Sequence, residues 1–293
     1  MMHKNTPLIC IFIIVWGVAN SCFAATSLWQ VSKNKQVFYL GASISALQQK
    51  HYPLPVEFDE AFKQAAVLYV ERDIAAVSAP EFGTQVMQRM MYTDGSNLKK
   101  QLRPEVYQKL EAFSQSRNIP VFGLALFKPA FAMVTLAAAE TSKNDYVYGV
   151  DTHYFYAAQE AKKPWKPLET VSQQLDLLNQ LNNEDANQAV LFLIDELSQM
   201  SSNLAKIEPA WRSGNLAAVD ALSTGKMRKR TPAVYQVLVA ARHQNWLPLF
   251  NKIAQTPEEE LVLLDIIHFT GPDSLLTLLK KNGFTLTPYR KPT

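Results

Sequence analysis

Leu261-Val-Leu-Leu-Asp-Ile-Ile-His-Phe-Thr-Gly271 is an apolar run that ends in a histidine and breaks at Gly271-Pro272. Its first seven residues, Leu261 to Ile267, read as a buried strand, and His268 stands where that strand surfaces. Gly271 is the expected N-cap of the next helix, with Pro272 at its first position. Leu275, Leu276, Leu278 and Leu279 supply its buried face, and Lys280 and Lys281 suit its negative C-terminal dipole. Gly283 is the expected stop, and Phe284 to Leu286 a last short strand.

A second strand-forming region lies at the other end of the chain. Leu28 to Ser32 and Gln36 to Leu40 flank Lys33-Asn34-Lys35, the pattern of a hairpin. The second strand runs into Gly41-Ala42-Ser43, small residues that allow close approach. After Tyr52-Pro-Leu-Pro55, helical spacing covers Val56 to Gln64, then a short strand Val67 to Val70 ends at Glu71.

Between the two ends, Pro80 to Leu204 reads as mostly helical. Pro104 and Lys128-Pro129 open helices, Gly149 starts another, and Thr170 caps a fourth after the extended piece Trp165 to Leu168. Asn179 to Asn187 and the basic cluster Lys226 to Arg230 read as loops, Trp211 to Asn215 as a turn, and Pro232 to Ala254 as a helix. The fold class expected is α/β (α+β): a central mixed sheet with flanking helices and a large helical middle. No repeat and no Pro-, Gly- or Ser-rich linker interrupts 25–293, which reads as one domain.

The chain has 293 residues, 48% apolar and 19% charged, which excludes a disordered protein; its net charge of +3 gives no field for nucleic acid. Lys4, the apolar run Leu8 to Ala19 and the small residues before position 25 read as a signal peptide of residues 1–24, cleaved after Ala24. The expected location is periplasmic or secreted, with no stable transmembrane span once the signal is removed. Cys10 and Cys22 both fall in that segment, so the mature chain has neither a disulfide nor a thiolate metal site.

Chemistry is expected at strand ends, where side chains leave the sheet yet stay rigidly held. Three stand out: Gly41 to Ser45, Glu71 and His268. A histidine and a carboxylate converging on a small-residue loop suit metal binding or proton transfer, whereas singly each has a structural role as its alternative. His51 falls in a loop and His3 in the leader.

The sequence resembles the TraB/GumN family, which is related to the TIKI-type metalloproteases. The resemblance is carried by Phe38-Tyr-Leu-Gly-Ala-Ser-Ile-Ser45, Leu68-Tyr-Val-Glu71-Arg-Asp73, Tyr148-Gly-Val-Asp151-Thr-His153, Leu168-Glu169-Thr170, Arg242-His243 and Ile267-His268-Phe-Thr-Gly271, in that order. It implies a centre of two histidines and a glutamate holding a divalent transition metal. Here the first Gly-x-x-His ends in Ser45 and the second begins with Asp265, so one imidazole is lost. The resemblance therefore implies Glu71, His268 and Ser45 as metal positions, with no bound metal as the alternative. Glu71 and His268 are the implied catalytic residues, with Arg242 as a clamp, and Asp151, His153 and Glu169 stand around them. Arg242 also has a structural alternative, pairing with Glu169 or Asp151. Asp265 compensates for the lost imidazole only if the chain bends before His268, because residues three apart in a strand face opposite ways. Two functions follow from the resemblance: a metal-dependent, peptidase-like hydrolase with an impaired site, or a non-catalytic protein using the same cleft to bind a peptide or envelope component.

Overall fold

The computed structural model describes residues 26–143, 146–182 and 186–290. The expected signal segment, its two cysteines and its cleavage point lie outside the described residues. A six-stranded mixed sheet organises the chain. Its strands are β1 (Leu28–Lys33), β2 (Gln36–Ser43), β4 (Val67–Arg72), β6 (Trp165–Glu169), β7 (Glu260–Asp265) and β8 (Thr285–Pro288), in the order β6-β4-β7-β2-β1-β8. β6, β4, β7 and β2 run parallel, and β1 lies antiparallel between β2 and β8. A separate antiparallel pair joins β3 (Ala46–Gln48) to β5 (Tyr146–Tyr148). β7 sits in the sheet's centre, covered on both faces, which explains its unbroken apolar run.

Among the described residues, fifteen α-helices surround this frame. In the first half they are α1 (Val56–Gln64), α2 (Ile74–Val77), α3 (Pro80–Met90), α4 (Leu98–Gln101), α5 (Pro104–Ser116), α6 (Pro129–Lys143) and α7 (Val150–Glu160). The rest are α8 (Val171–Gln180), α9 (Ala186–Ser198), α10 (Met200–Arg212), α11 (Leu216–Leu222), α12 (Thr224–Arg230), α13 (Pro232–Tyr235), α14 (Ala241–Ile253) and α15 (Leu275–Lys281). The sheet packs with α1, α7, α10, α14 and α15 in the main core, in which Trp211, Phe58, Phe38 and Phe250 are fully buried. α5, α6 and α9 enclose a second core around Leu110, Leu136 and Val190, and α3 with α8 a small third one around Met90 and Leu175.

Several local expectations hold. Thr170 caps α8 through the Gln173 amide, with Gln173 returning the bond in a capping box. Asn34 and Lys35 take positive φ in the two-residue turn between β1 and β2. Other expectations change. β7 stops at Asp265, whose side chain accepts from the Ile267 amide and starts a 3-10 turn, Ile266–Phe269. Gly271 does not cap the next helix: it takes φ +80°, and Ser274 caps α15 through the Thr277 amide. The basic cluster is the helix α12, not a loop. Lys226, Arg228 and Arg230 pair with Glu196, Asp220 and Asp195 on the neighbouring helices α9 and α11. His51 ends a short 3-10 helix, where its Nδ1 accepts from the Gln48 amide at 3.0 Å.

Candidate functional site

Register places the carboxyl ends of four parallel strands side by side. Ser43 pairs with Asp265, and Arg72 with Glu169. In an open parallel sheet this edge is where ligands bind. Successive residues of β4 point to opposite faces, so Glu71 turns towards α14 while Arg72 turns towards α7.

Arg242, on α14, is the hub on the Glu71 side. Its Nη2 donates to Glu71 Oε1 at 2.6 Å and to Glu169 Oε2 at 2.7 Å, and its Nε donates to Glu169 Oε1 at 2.8 Å. The guanidinium thus grips Glu169 bidentately and Glu71 at one corner. Trp246, one turn further along, donates its indole N–H to Glu169 Oε1 at 2.9 Å and places its ring 4.7 Å from the guanidinium carbon. Glu71 Oε2 accepts from the Asp265 amide at 3.0 Å and lies 3.5 Å from His268 Nε2. Burial alone would raise the Glu71 pKa. The charges of Arg242 and His268, with the Asp265 amide, outweigh it and hold the carboxyl well below its usual range.

A pair of imidazoles completes this side. His243 Nδ1 lies 3.0 Å from the Asp273 carbonyl oxygen, which only accepts, so this nitrogen carries the hydrogen. Burial, reinforced by His268, lowers the His243 pKa to about 3, so the ring is neutral. Its Nε2 therefore accepts from His268 Nδ1–H, 3.0 Å away. That leaves His268 Nε2 facing Arg242 Nη1 at 3.3 Å and Glu71. His268 is wholly buried.

On the other side of β4, Ser43 Oγ donates to Asp151 Oδ1 at 3.2 Å and accepts from the Asp151 amide at 3.1 Å. Ser45 Oγ donates to Asp265 Oδ2. Gly149 caps α7 so close to the Ile44 and Ser45 carbonyls that a Cβ there would overlap them. This contact places Asp151 over the end of β2. Burial raises the pKa of Asp151, partly offset by Arg72, and raises that of Asp265, where the Glu71 charge adds to it. A polar cavity of about 100 Å³ lies between Ser43, Ser45, Glu71, Arg72, Asp151 and Asp265.

Of the residues singled out from sequence, Ser45, Glu71, Asp151, Glu169, Arg242 and His268 meet around this strand edge. His153 does not; its ring contacts Tyr52 and Tyr154 instead. The bend after Asp265 is present, and it turns Asp265 towards Ser45 and His268 towards Glu71. His243 and Trp246 were not among the candidate site residues, and Ser43 entered only as part of the strand end Gly41 to Ser45. Arg242 and Trp246, at i and i+4, share one helix face, the spacing that would have linked them.

A family model described as TraB/PrgY/gumN matches residues 27–288. The chain belongs to the TraB/PrgY/gumN family. Comparison with curated proteins and with solved structures gave no match. The two-histidine metal centre implied by the resemblance can be tested on this family member's own donors. Both oxygens of Glu71 are engaged, one by a guanidinium; both His268 nitrogens face buried partners; and the Ser45 hydroxyl donates to Asp265. A transition metal needs free lone pairs, and a guanidinium 2.6 Å from the carboxylate repels a cation. Among the described residues, no group of three or more His, Cys, Asp or Glu is arranged to hold a metal ion. These donors do not fit a divalent transition metal.

Beside Glu71 and Arg242 a cleft of about 500 Å³ opens between the sheet edge and the helices α2, α3, α6 and α8. Ile74, Phe82, Val134, Val171 and Leu175 line it, with Glu71, Arg72, Ser78, Thr152, Gln174 and Arg242 as its polar groups.

Proposed function

We propose that this family member is an exported binding protein that takes up a peptide or envelope component in the cleft beside Glu71, without catalysis. The observation that carries the reading is the closed electrostatic circuit of Arg242. It joins Glu71, Glu169 and His268 to one another, so the groups a hydrolase would present to metal and substrate are spent on internal partners. A mainly apolar cleft of this size falls in the range that buries a small ligand. Export rests on Lys4 and the apolar run that follows it. No helix among the described residues is long and apolar enough to cross a membrane.

The competing reading, a metal-dependent peptidase-like hydrolase with Glu71 as ligand or general base and His268 as ligand, requires Arg242 to release Glu71. One observation favours it: His243 fixes the orientation of His268, as groups behind metal ligands do. Metal analysis and casein hydrolysis, run beside Ser45→His and His268→Ala variants, decide between them. We expect the wild-type protein to hold well under one equivalent of zinc or manganese and to leave casein intact. Stoichiometric metal in the wild type that disappears in His268→Ala, with metal-dependent cleavage, would overturn the binding-protein reading. Metal gained only by Ser45→His would identify position 45 as the lost ligand.

A further inference from the structure

A second cleft adjoins the first. It has a volume of about 180 Å³, shares Val134, Leu178 and Leu238 with it, and reaches between α6, α9 and α13. Every residue lining this second cleft is apolar, among them Met133, Leu181, Phe192, Leu193 and Met227. Such a lining favours hydrocarbon over water. The first cleft differs in carrying charge. Arg72 stands there with 44% of its side chain exposed, and Asp151, at 3.8 Å, is beyond hydrogen-bonding reach. Its N–H donors are therefore not consumed by that neighbour, whereas Arg242 is fully engaged.

The wall common to both cavities is irregular. Leu238 belongs to a π turn, Gln236–Ala240, set between α13 and α14. Such insertions concentrate at functional sites because they displace one wall of a helix. The Leu238 carbonyl accepts from Arg242 Nη1 at 3.3 Å, so this wall is tied to the polar cluster.

We propose that the two adjoining clefts together bind one long-chain carboxylate, its head at Arg72 and its acyl tail between α6, α8 and α9. The lining argues for a single chain: the clefts meet at Val134, Leu178 and Leu238, and the second is lined by apolar residues alone. The charge argues for an anionic head, since Arg72 is a cation lining the first cleft with donors to offer. This deepens the binding-protein reading and rests on it.

Calorimetric titration of the purified protein with octanoate, decanoate and dodecanoate, each below its micelle-forming concentration, tests the assignment. Dodecanoate is expected to bind one to one, with affinity rising roughly fourfold per methylene. Val134→Trp, at a partly exposed wall position, should weaken dodecanoate at least tenfold. Ala137→Phe, in the second cleft, is a second blocking variant and should do the same. Arg72→Gln should weaken dodecanoate about tenfold and leave dodecanol within twofold. Absence of dodecanoate binding, or binding unchanged in both blocking variants with wild-type melting curves, overturns the proposal. If an acetylated apolar hexapeptide binds where dodecanoate does not, the acyl assignment falls and the binding-protein reading stands. Metal-dependent casein cleavage removes that reading separately.

Discussion

Arg242→Met is expected to destabilise the protein by about 3–5 kcal/mol, lowering its melting temperature by roughly 10 °C. Methionine fills much of the space but carries no charge. Glu71 and Glu169 would then face each other's neighbourhood with no cation between them, in a region where Arg242 and Glu169 are buried. The loss reflects the stranded carboxylates more than the worth of the ion pairs themselves. The pH dependence separates this from simple loss of packing. In the wild type the Glu71 pKa is held below its unfolded value, so its contribution is present above that unfolded value and fades as pH falls through the folded one. Without Arg242, burial dominates and the folded pKa rises. The variant is then penalised most at neutral pH, and the penalty shrinks as acid protonates Glu71. Denaturant melts of both proteins between pH 8 and pH 4 should show the gap narrowing towards acid. A gap that stays constant across this range would mean that the guanidinium serves only as volume.

The same network shows what local sequence can and cannot express. The end of β4 was legible because its apolar run stops abruptly at Glu71, and the unbroken apolar run of β7 marked a buried strand; the end of β7 was read two residues late, at Ile267, because Ile266 and Ile267 continue that run through the 3-10 turn. Thr170 was legible because its partner Gln173 is three residues away. Gly271 misled because a glycine before Pro272 resembles a cap, while its actual role, a left-handed turn with φ +80°, depends on how the chain turns back over α12. α12 itself was misread for a related reason. Four charges in five residues look like a solvated loop until Glu196, Asp220 and Asp195 are brought to them by other helices. Ser45, Glu71, Arg242 and His268 span more than two hundred positions, and only pairing of β2, β4 and β7 draws them together. The roles within the cluster were least legible. Whether Arg242 clamps a ligand or an internal acid depends on which face of α14 meets β6, and the answer is Glu169 with Glu71.

The positions of Ser43 and Ser45 depend in turn on a residue that lines neither the polar cavity nor the cleft. Trp211, near the end of α10, is fully buried, and its indole N–H donates to the Ala42 carbonyl at 2.7 Å. Ser27 Oγ donates to the Trp211 carbonyl at 2.7 Å, and the ring packs against Phe58 with centroids 5.6 Å apart. Its side chain therefore joins the end of β2 to α1, and its carbonyl holds the start of β1. Trp211→Ala removes the largest fully buried side chain of the main core and leaves the Ala42 carbonyl without its donor, so a loss of about 3–5 kcal/mol is expected. Trp211→Phe should retain most of the packing and lose the hydrogen bond, a smaller effect of about 1–3 kcal/mol. Hydrogen exchange gives the local readout. Protection at the Asp151 amide, which is bonded to Ser43 Oγ, should fall in both variants by more than protection in α5, whose core is separate. Equal loss at the two places would show that Trp211 supports the whole chain alike and does not specifically hold the end of β2.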